Sequence, residues 1–186
     1  MIHPHFKTIL GIISGTIFLS SPLLALNLGN NQTLFNHSPQ LLDTVTTLSR
    51  IRVQGATYYF TVHLPMNVGE SLQQLTLQQT QGLETIYFYL DDTIAFEGRP
   101  VNRDNELNIA RVKRNLDNNT IAVIFDPPIP PGKTFTIAMK PKSNPEMSGN
   151  YQFAITAYPT GENPQGLYLG LGLSLIHISE PTRPRE

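Results

Sequence analysis

Thr57 to Leu64 reads TYYFTVHL, and its reading decides the fold. Tyr58, Phe60, Val62 and Leu64 fall on one side of an extended chain, and Thr57, Tyr59, Thr61 and His63 on the other. Successive side chains of a strand point to opposite faces, so this alternation predicts a strand with one face in the core and one toward solvent. ETIYFYL, Glu84 to Leu90, repeats the pattern, setting Ile86, Phe88 and Leu90 against Thr85, Tyr87 and Tyr89. It recurs with Ile121, Val123 and Phe125, then Phe135, Ile137 and Met139, then Tyr151, Phe153, Ile155 and Ala157. TVTTLSRIRV, LQQLTLQQ, ELNIARVK and GLYLGL add less regular candidates. The stretch from Val68 to Gln81 could also open with a helical turn. Turn residues separate these runs, and no long amphipathic helix is visible. The expectation is an all-β fold, a single immunoglobulin-like antiparallel β-sandwich of about eight or nine strands.

The ends of the chain read differently. Lys7 precedes the apolar run ILGIISGTIFLSSPLLA, Ile9 to Ala25, which is short for a membrane span and has the layout of a signal peptide. Residues 1–25 are therefore read as a leader cleaved after Ala25, which makes the protein exported, periplasmic or extracellular, with no transmembrane segment in the mature chain. Leu23 stands where a small residue is preferred, so an uncleaved N-terminal anchor is the alternative. Residues 26–41, LNLGNNQTLFNHSPQL, are polar and rich in Asn and are expected to form a flexible lead-in. Residues 42–172 form the expected domain. Leu173 to Arg183, LSLIHISEPTR, matches residue for residue the translation of a transposase adapter used in short-read library preparation. Residues 173–186 are accordingly read as a non-native tail, with His177 non-functional and the natural chain continuing past Gly172 in another sequence.

Composition narrows the function. There is no cysteine, so an exported domain must be held by core burial without disulfides. Thirteen Lys/Arg against fourteen Asp/Glu give a net charge of −1 with no block of one sign, which argues against nucleic acid as a partner.

GATYYFTVHLPMNVGESLQQLTLQQ, FYLDDTIAFEG, VIFDPPIPPGKTFTIAMKP and GNYQFAITAYPTGENPQGLYLGLG occur in this order between Leu42 and Gly172. Together they resemble the cyanobacterial secreted family catalogued as domain of unknown function 2808. The resemblance implies a cyanobacterial origin, export and a compact β domain, and it brings no catalytic residues.

No residue set announces chemistry. His37 and His63 have no ligand spacing, and with no cysteine a zinc site is not expected. Met66, Met139 and Met147 could suggest a thioether copper site, but Met139 occupies a core slot. Asp91, Asp92 and Glu97 are acidic loop candidates without the density of a calcium loop or an evident facing pair. Arg99, Arg103, Arg111, Lys113 and Arg114, interrupted by Asp104 and Glu106, read as a polar sheet face. Neither catalytic residues, nor a metal, nor a cofactor is expected. Tyr59, Tyr87 and Tyr89 share the polar side of their strands and are the candidate contacts of a non-catalytic envelope module that binds protein or polysaccharide. The alternative is a hydrolase of envelope polymers using carboxylates near Asp91 and Glu97. Oligomeric state is not legible.

DPPIPPG, Asp126 to Gly132, is expected to form a stiff corner between strands. Its four prolines lack amide hydrogens, Ile129 turns inward and Gly132 takes the turn.

Overall fold

A computed structural model describes residues 31–178, which form twelve strands and no helix. They are β1 (Gln32–Thr33), β2 (Gln40–Thr46), β3 (Tyr58–His63), β4 (Leu72–Gln81), β5 (Phe88–Arg99) and β6 (Asn102–Leu107). Then follow β7 (Ile109–Asn115), β8 (Thr120–Ile129), β9 (Thr134–Pro141), β10 (Gly149–Pro159), β11 (Asn163–Pro164) and β12 (Leu167–Ile176). Ten of them build two five-stranded antiparallel sheets, in the orders β12-β10-β4-β8-β7 and β2-β3-β9-β5-β6, while β1 and β11 form a short parallel pair. The result is an all-β, immunoglobulin-like sandwich with more strands than the eight or nine expected. The helical turn considered before Gln81 does not form, and Leu72 to Gln81 is all strand.

The alternation in sequence is the alternation in space. Tyr58, Phe60 and Val62 of β3 and Phe135, Ile137 and Met139 of β9 are buried against Ile121, Val123 and Phe125 of β8 and Tyr151, Phe153 and Ile155 of β10. Rings meet edge to face, with centroids 5.4 Å apart for Tyr58 and Phe88, 5.6 Å for Phe60 and Phe153, and 5.6 Å for Phe125 and Phe135. Each such pair adds about 0.5–1.5 kcal/mol to the burial of its area.

Each side of the sandwich is closed by a different device. On one side β6 and β7 are nearly one strand, which leaves one sheet at Asn108 and enters the other. The Asn108 side-chain amide donates to the Asp126 carbonyl at 2.6 Å there. On the other side the edge strands β2 and β12 approach through small residues. A Cβ on Gly172 would lie 2.5 Å from Thr44 Oγ1, and the hydroxyls of Thr46 and Ser174 are 2.9 Å apart.

The proline corner docks on the end of β3. Gly132, at φ 82°, donates its amide to the Leu64 carbonyl at 2.9 Å, and the Leu64 amide donates to Lys133 at 2.8 Å. Ile129 is 1% exposed and stands opposite Leu72 of β4.

Two boundaries differ from the expectation. The lead-in is not loose where it is described. From residue 31 onward, Phe35 packs on the core, Pro39 is buried, and the Asn36 amide donates to the Val68 carbonyl at 2.8 Å. These few anchors are diluted in a segment whose average composition is polar. Residues 1–30, which include the segment read as a leader, lie outside the described residues. The domain also does not stop at Gly172. Leu173 to Ile176 continue β12 beside β10, with Ser174 opposite Tyr151 and Ile176 1% exposed, while residues 179–186 lie outside the described part. Leu173 to Ile176, read from sequence as the start of a non-native tail, therefore take part in the sheet.

Candidate functional site

The three tyrosines singled out in the sequence part company in space. Tyr59 is 8% exposed, against 52% for Tyr87 and 49% for Tyr89. Tyr59 does sit on the outer face of its sheet, but Arg103 of β6 reaches over it. The guanidinium lies 4.7 Å from the Phe96 ring centroid and 5.5 Å from that of Tyr59, and donates to the Tyr59 hydroxyl at 2.7 Å. An arginine laid on two aromatic faces shields both and satisfies the phenol. Tyr59 is therefore part of a small outer core with Phe96 and Ala138, which corrects its assignment as a contact residue. Nearby, Thr61 and Thr136 share a buried hydroxyl contact of 2.9 Å.

Tyr87 and Tyr89 stand a little further toward the same end of this sheet, where β5 begins and β9 ends. Tyr89 is opposite Lys140 of β9, and the carbonyl of Tyr87 accepts from the Lys142 amide at 2.7 Å. Directly opposed side chains in a sheet share a face, so Tyr89 and Lys140 project together. Tyr87 and Lys142 line a shallow hollow of about 450 Å³, with Glu84 and Glu146 on its rim. Arg114, an inward-pointing residue of the edge strand β7, holds Tyr87 from behind. Its guanidinium is 4.5 Å from the ring centroid and donates to the Ile86 carbonyl at 3.1 Å and to the Asn119 side chain.

The loop opposite is braced from below. Both Glu84 carboxylate oxygens accept backbone amides, from Glu146 at 3.0 Å and Met147 at 2.9 Å. Asn144 is buried and donates to the Leu48 and Arg50 carbonyls at 2.6 and 2.8 Å, while its oxygen accepts from the Tyr58 hydroxyl at 3.1 Å. Burial pushes the Tyr58 phenol from its ordinary 10.0 to about 12, and burial followed by the Glu84 charge raises that of Tyr151.

The remaining candidates do not converge. Met139 is in the core, and Met66 and Met147 are exposed at loops. His37 contacts the Asn67 carbonyl and His63 the Thr134 hydroxyl, at 2.8 and 2.9 Å. Among the described residues no three His, Cys, Asp or Glu side chains gather at a distance suited to a metal. Glu97 is ion-paired with Lys133 at 3.0 Å. Glu97 pairs with Phe135 and Ile94 with Ala138, so those two positions are about 10 Å apart along β5, and Asp91 and Asp92 lie further along, in the bulge after Tyr89. A facing pair of carboxylates is not formed. A second hollow, of about 370 Å³, lies at the β6–β7 corner between Thr93 and Asn108, where the buried Thr93 hydroxyl has no partner within the fold.

Fold and surface together define an immunoglobulin-like sandwich with exposed aromatic and basic groups at one end of a sheet. The chain belongs to the family described as Protein of unknown function (DUF2808), whose model matches residues 32–176. No curated protein matches the chain. Among solved structures it is similar to the collagen-binding domain of a Staphylococcus aureus adhesin, at 14% identity and a TM-score of 0.37, covering 72% of this chain and 99% of that one. It is similar also to the full-length major pilin SpaD of Corynebacterium diphtheriae (12% identity, TM-score 0.48, 74% of this chain and 35% of that one). The C-terminal domain of the Streptococcus pyogenes antigen I/II-family protein AspA is similar at 12% identity and a TM-score of 0.43, with 72% and 46% covered. The likeness is one of fold alone.

Proposed function

We propose that the protein is an exported, non-catalytic module of the cell envelope that binds an envelope polymer through the Tyr87–Tyr89 end of the second sheet. The observation that carries this reading is the ladder itself. Two half-exposed tyrosines stand two residues apart, Tyr89 faces Lys140, and Tyr87 shares its hollow with Lys142. An exposed ring with a polar tip covers much contact area at little entropic cost, and the adjacent ammonium groups add directional donors. Arg114 holds the Tyr87 ring in place, which lowers the cost of ordering it on binding. The leader-like segment from Lys7 to Ala25 supports export.

The test is co-sedimentation of the full chain with an insoluble envelope fraction from the source organism. Wild type is expected to sediment with it, and the Tyr87→Ala/Tyr89→Ala double variant to bind about tenfold more weakly or worse. Equal retention of both proteins would sink the assignment.

A further inference from the structure

The outer face of the other sheet has a composition of its own. On β4 the outward positions are Gln74, Thr76 and Gln78, and beside them on β10 stand Tyr158, Thr156 and Ala154. The same rows continue on β8 as Ile124, Ala122 and Thr120. No position in these three strands' rows carries a formal charge, whereas an ordinary protein surface is about 25–35% charged. Charge returns only at the edge, with Arg111 and Lys113 of β7. The pattern is visible within LQQLTLQQ, where Leu75 and Leu77 enter the core and Gln74, Thr76 and Gln78 face out.

Three further features separate this face from a merely solvated one. Among the described residues, neither Gln74 nor Gln152, the next outward residue of β10, uses its side-chain amide in a hydrogen bond within the fold. Tyr168 of β12 is half-exposed opposite Thr156, so the Thr76 row ends in one tyrosine and the Gln74 row in Tyr158, while Ala154 and Gln152 meet the exposed Leu171 and Leu173 on this edge strand. The Tyr158 ring is fixed from the loop side by Gly166, where a Cβ would lie 2.6 Å from it.

We propose that this face binds an uncharged polysaccharide laid across the strands. Primary amides and hydroxyls each donate and accept, which suits a chain of hydroxyl groups, and the tyrosine rings offer flat apolar surface to sugar C–H groups. The four strands without charge in these rows, β12, β10, β4 and β8, lie about 4.8 Å apart and give a platform about 14 Å wide, enough for a few sugar units. A polyanion would find no cation on the three central strands. A protein partner would seek a large apolar centre, yet the middle of the face is Thr76, Ala154 and Ala122, and the exposed leucines Leu171, Leu173 and Leu175 lie only on the edge strand β12. The surface lies on the opposite sheet from Tyr87 and Tyr89, so the two sites are separable by mutation.

The experiment is a pull-down of the full chain on two insoluble uncharged glucans, amorphous cellulose and starch, with polygalacturonate in affinity electrophoresis as the charged polymer. Retention is expected on at least one glucan, insensitive to salt. Gln74→Glu/Gln152→Glu, which changes charge but hardly volume, is expected to weaken it about tenfold or more, because a carboxylate on the contact face must be desolvated. Tyr168→Ala should weaken it several-fold, and Tyr87→Ala/Tyr89→Ala should leave it unchanged. The proposal is overturned by no retention on either glucan, by retention that the two glutamates do not alter, or by binding to polygalacturonate alone. Thermal melts of both variants at wild-type temperature keep a folding defect from passing for lost binding.

Discussion

Truncating Ile129 to alanine asks whether the proline corner is architecture or surface. The side chain is 1% exposed and stands opposite Leu72 where β8 ends, so its removal leaves a cavity between the two sheets. Ile→Ala at buried sites costs about 2–5 kcal/mol, transfer and cavity terms together. The flanking prolines stiffen the backbone and limit its collapse into the space, which places the expectation near the middle, about 3 kcal/mol. Urea unfolding followed by tyrosine fluorescence or far-UV circular dichroism measures it. With a slope of about 2 kcal/mol/M the midpoint should fall by about 1.5 M. Pro130→Ala supplies the contrast, because Pro130 is exposed and acts mainly on the unfolded chain, at about 0.4–1 kcal/mol. An Ile129→Ala midpoint within about 0.3 M of wild type would refute the reasoning and make the corner a candidate surface again.

Stability should fall in alkali. Tyr58 keeps its proton up to about pH 12 in the folded chain and releases it near 10.0 when unfolded, so its contribution is whole below 10.0 and is lost as pH rises toward 12. The loss is on the order of 2–3 kcal/mol. Urea midpoints at about pH 9 and 11 should fall further in wild type than in Tyr58→Phe, which keeps only the smaller alkaline loss from Tyr151, and parallel declines would contradict it. Gly172→Ala should cost about 1–3 kcal/mol by driving a Cβ against Thr44, and Thr44→Ala in the same chain should recover part of the loss. Differential scanning calorimetry of the two variants decides this, and Gly172→Ala melting with wild type would contradict the contact. We also propose that the codons from Leu173 onward derive from a library adapter. Resequencing the locus should show a different continuation whose residues fill the places of Ser174 and Ile176, and an unchanged reading would overturn the adapter origin.

The core was legible because a strand buried on one face writes its alternation into the sequence, as Tyr58, Phe60 and Val62 do. What the alternation cannot report is the state of the other face. Tyr59 has the same parity as Thr61 and His63, yet it is buried by Arg103, which is distant in sequence and arrives only once β6 is in place. Tyr87 and Tyr89 were readable as outward residues, but their juxtaposition with Lys142 and Lys140 depends on the pairing of β5 with β9. In LYLGLGLSLI the usual pattern is inverted. Gly170, Gly172 and Ser174 face inward, with Thr44 of the edge strand β2 leaving no room for a Cβ at Gly172, and Leu171, Leu173 and Leu175 face out. The sheet switch at Asn108 left no sign beyond a single polar residue between two runs.

The central claim is that the Tyr87–Tyr89 ladder is where this domain meets its partner, and amide chemical-shift mapping tests it most directly. A solubilised envelope polymer that sediments the full chain is titrated into the ¹⁵N-labelled protein. The account predicts that the shifts gather at Tyr87, Tyr89, Lys140 and Lys142, with Asp91, Asp92 and Glu97 little changed. Shifts confined to those three acidic residues, or their absence from the tyrosine ladder, would contradict it.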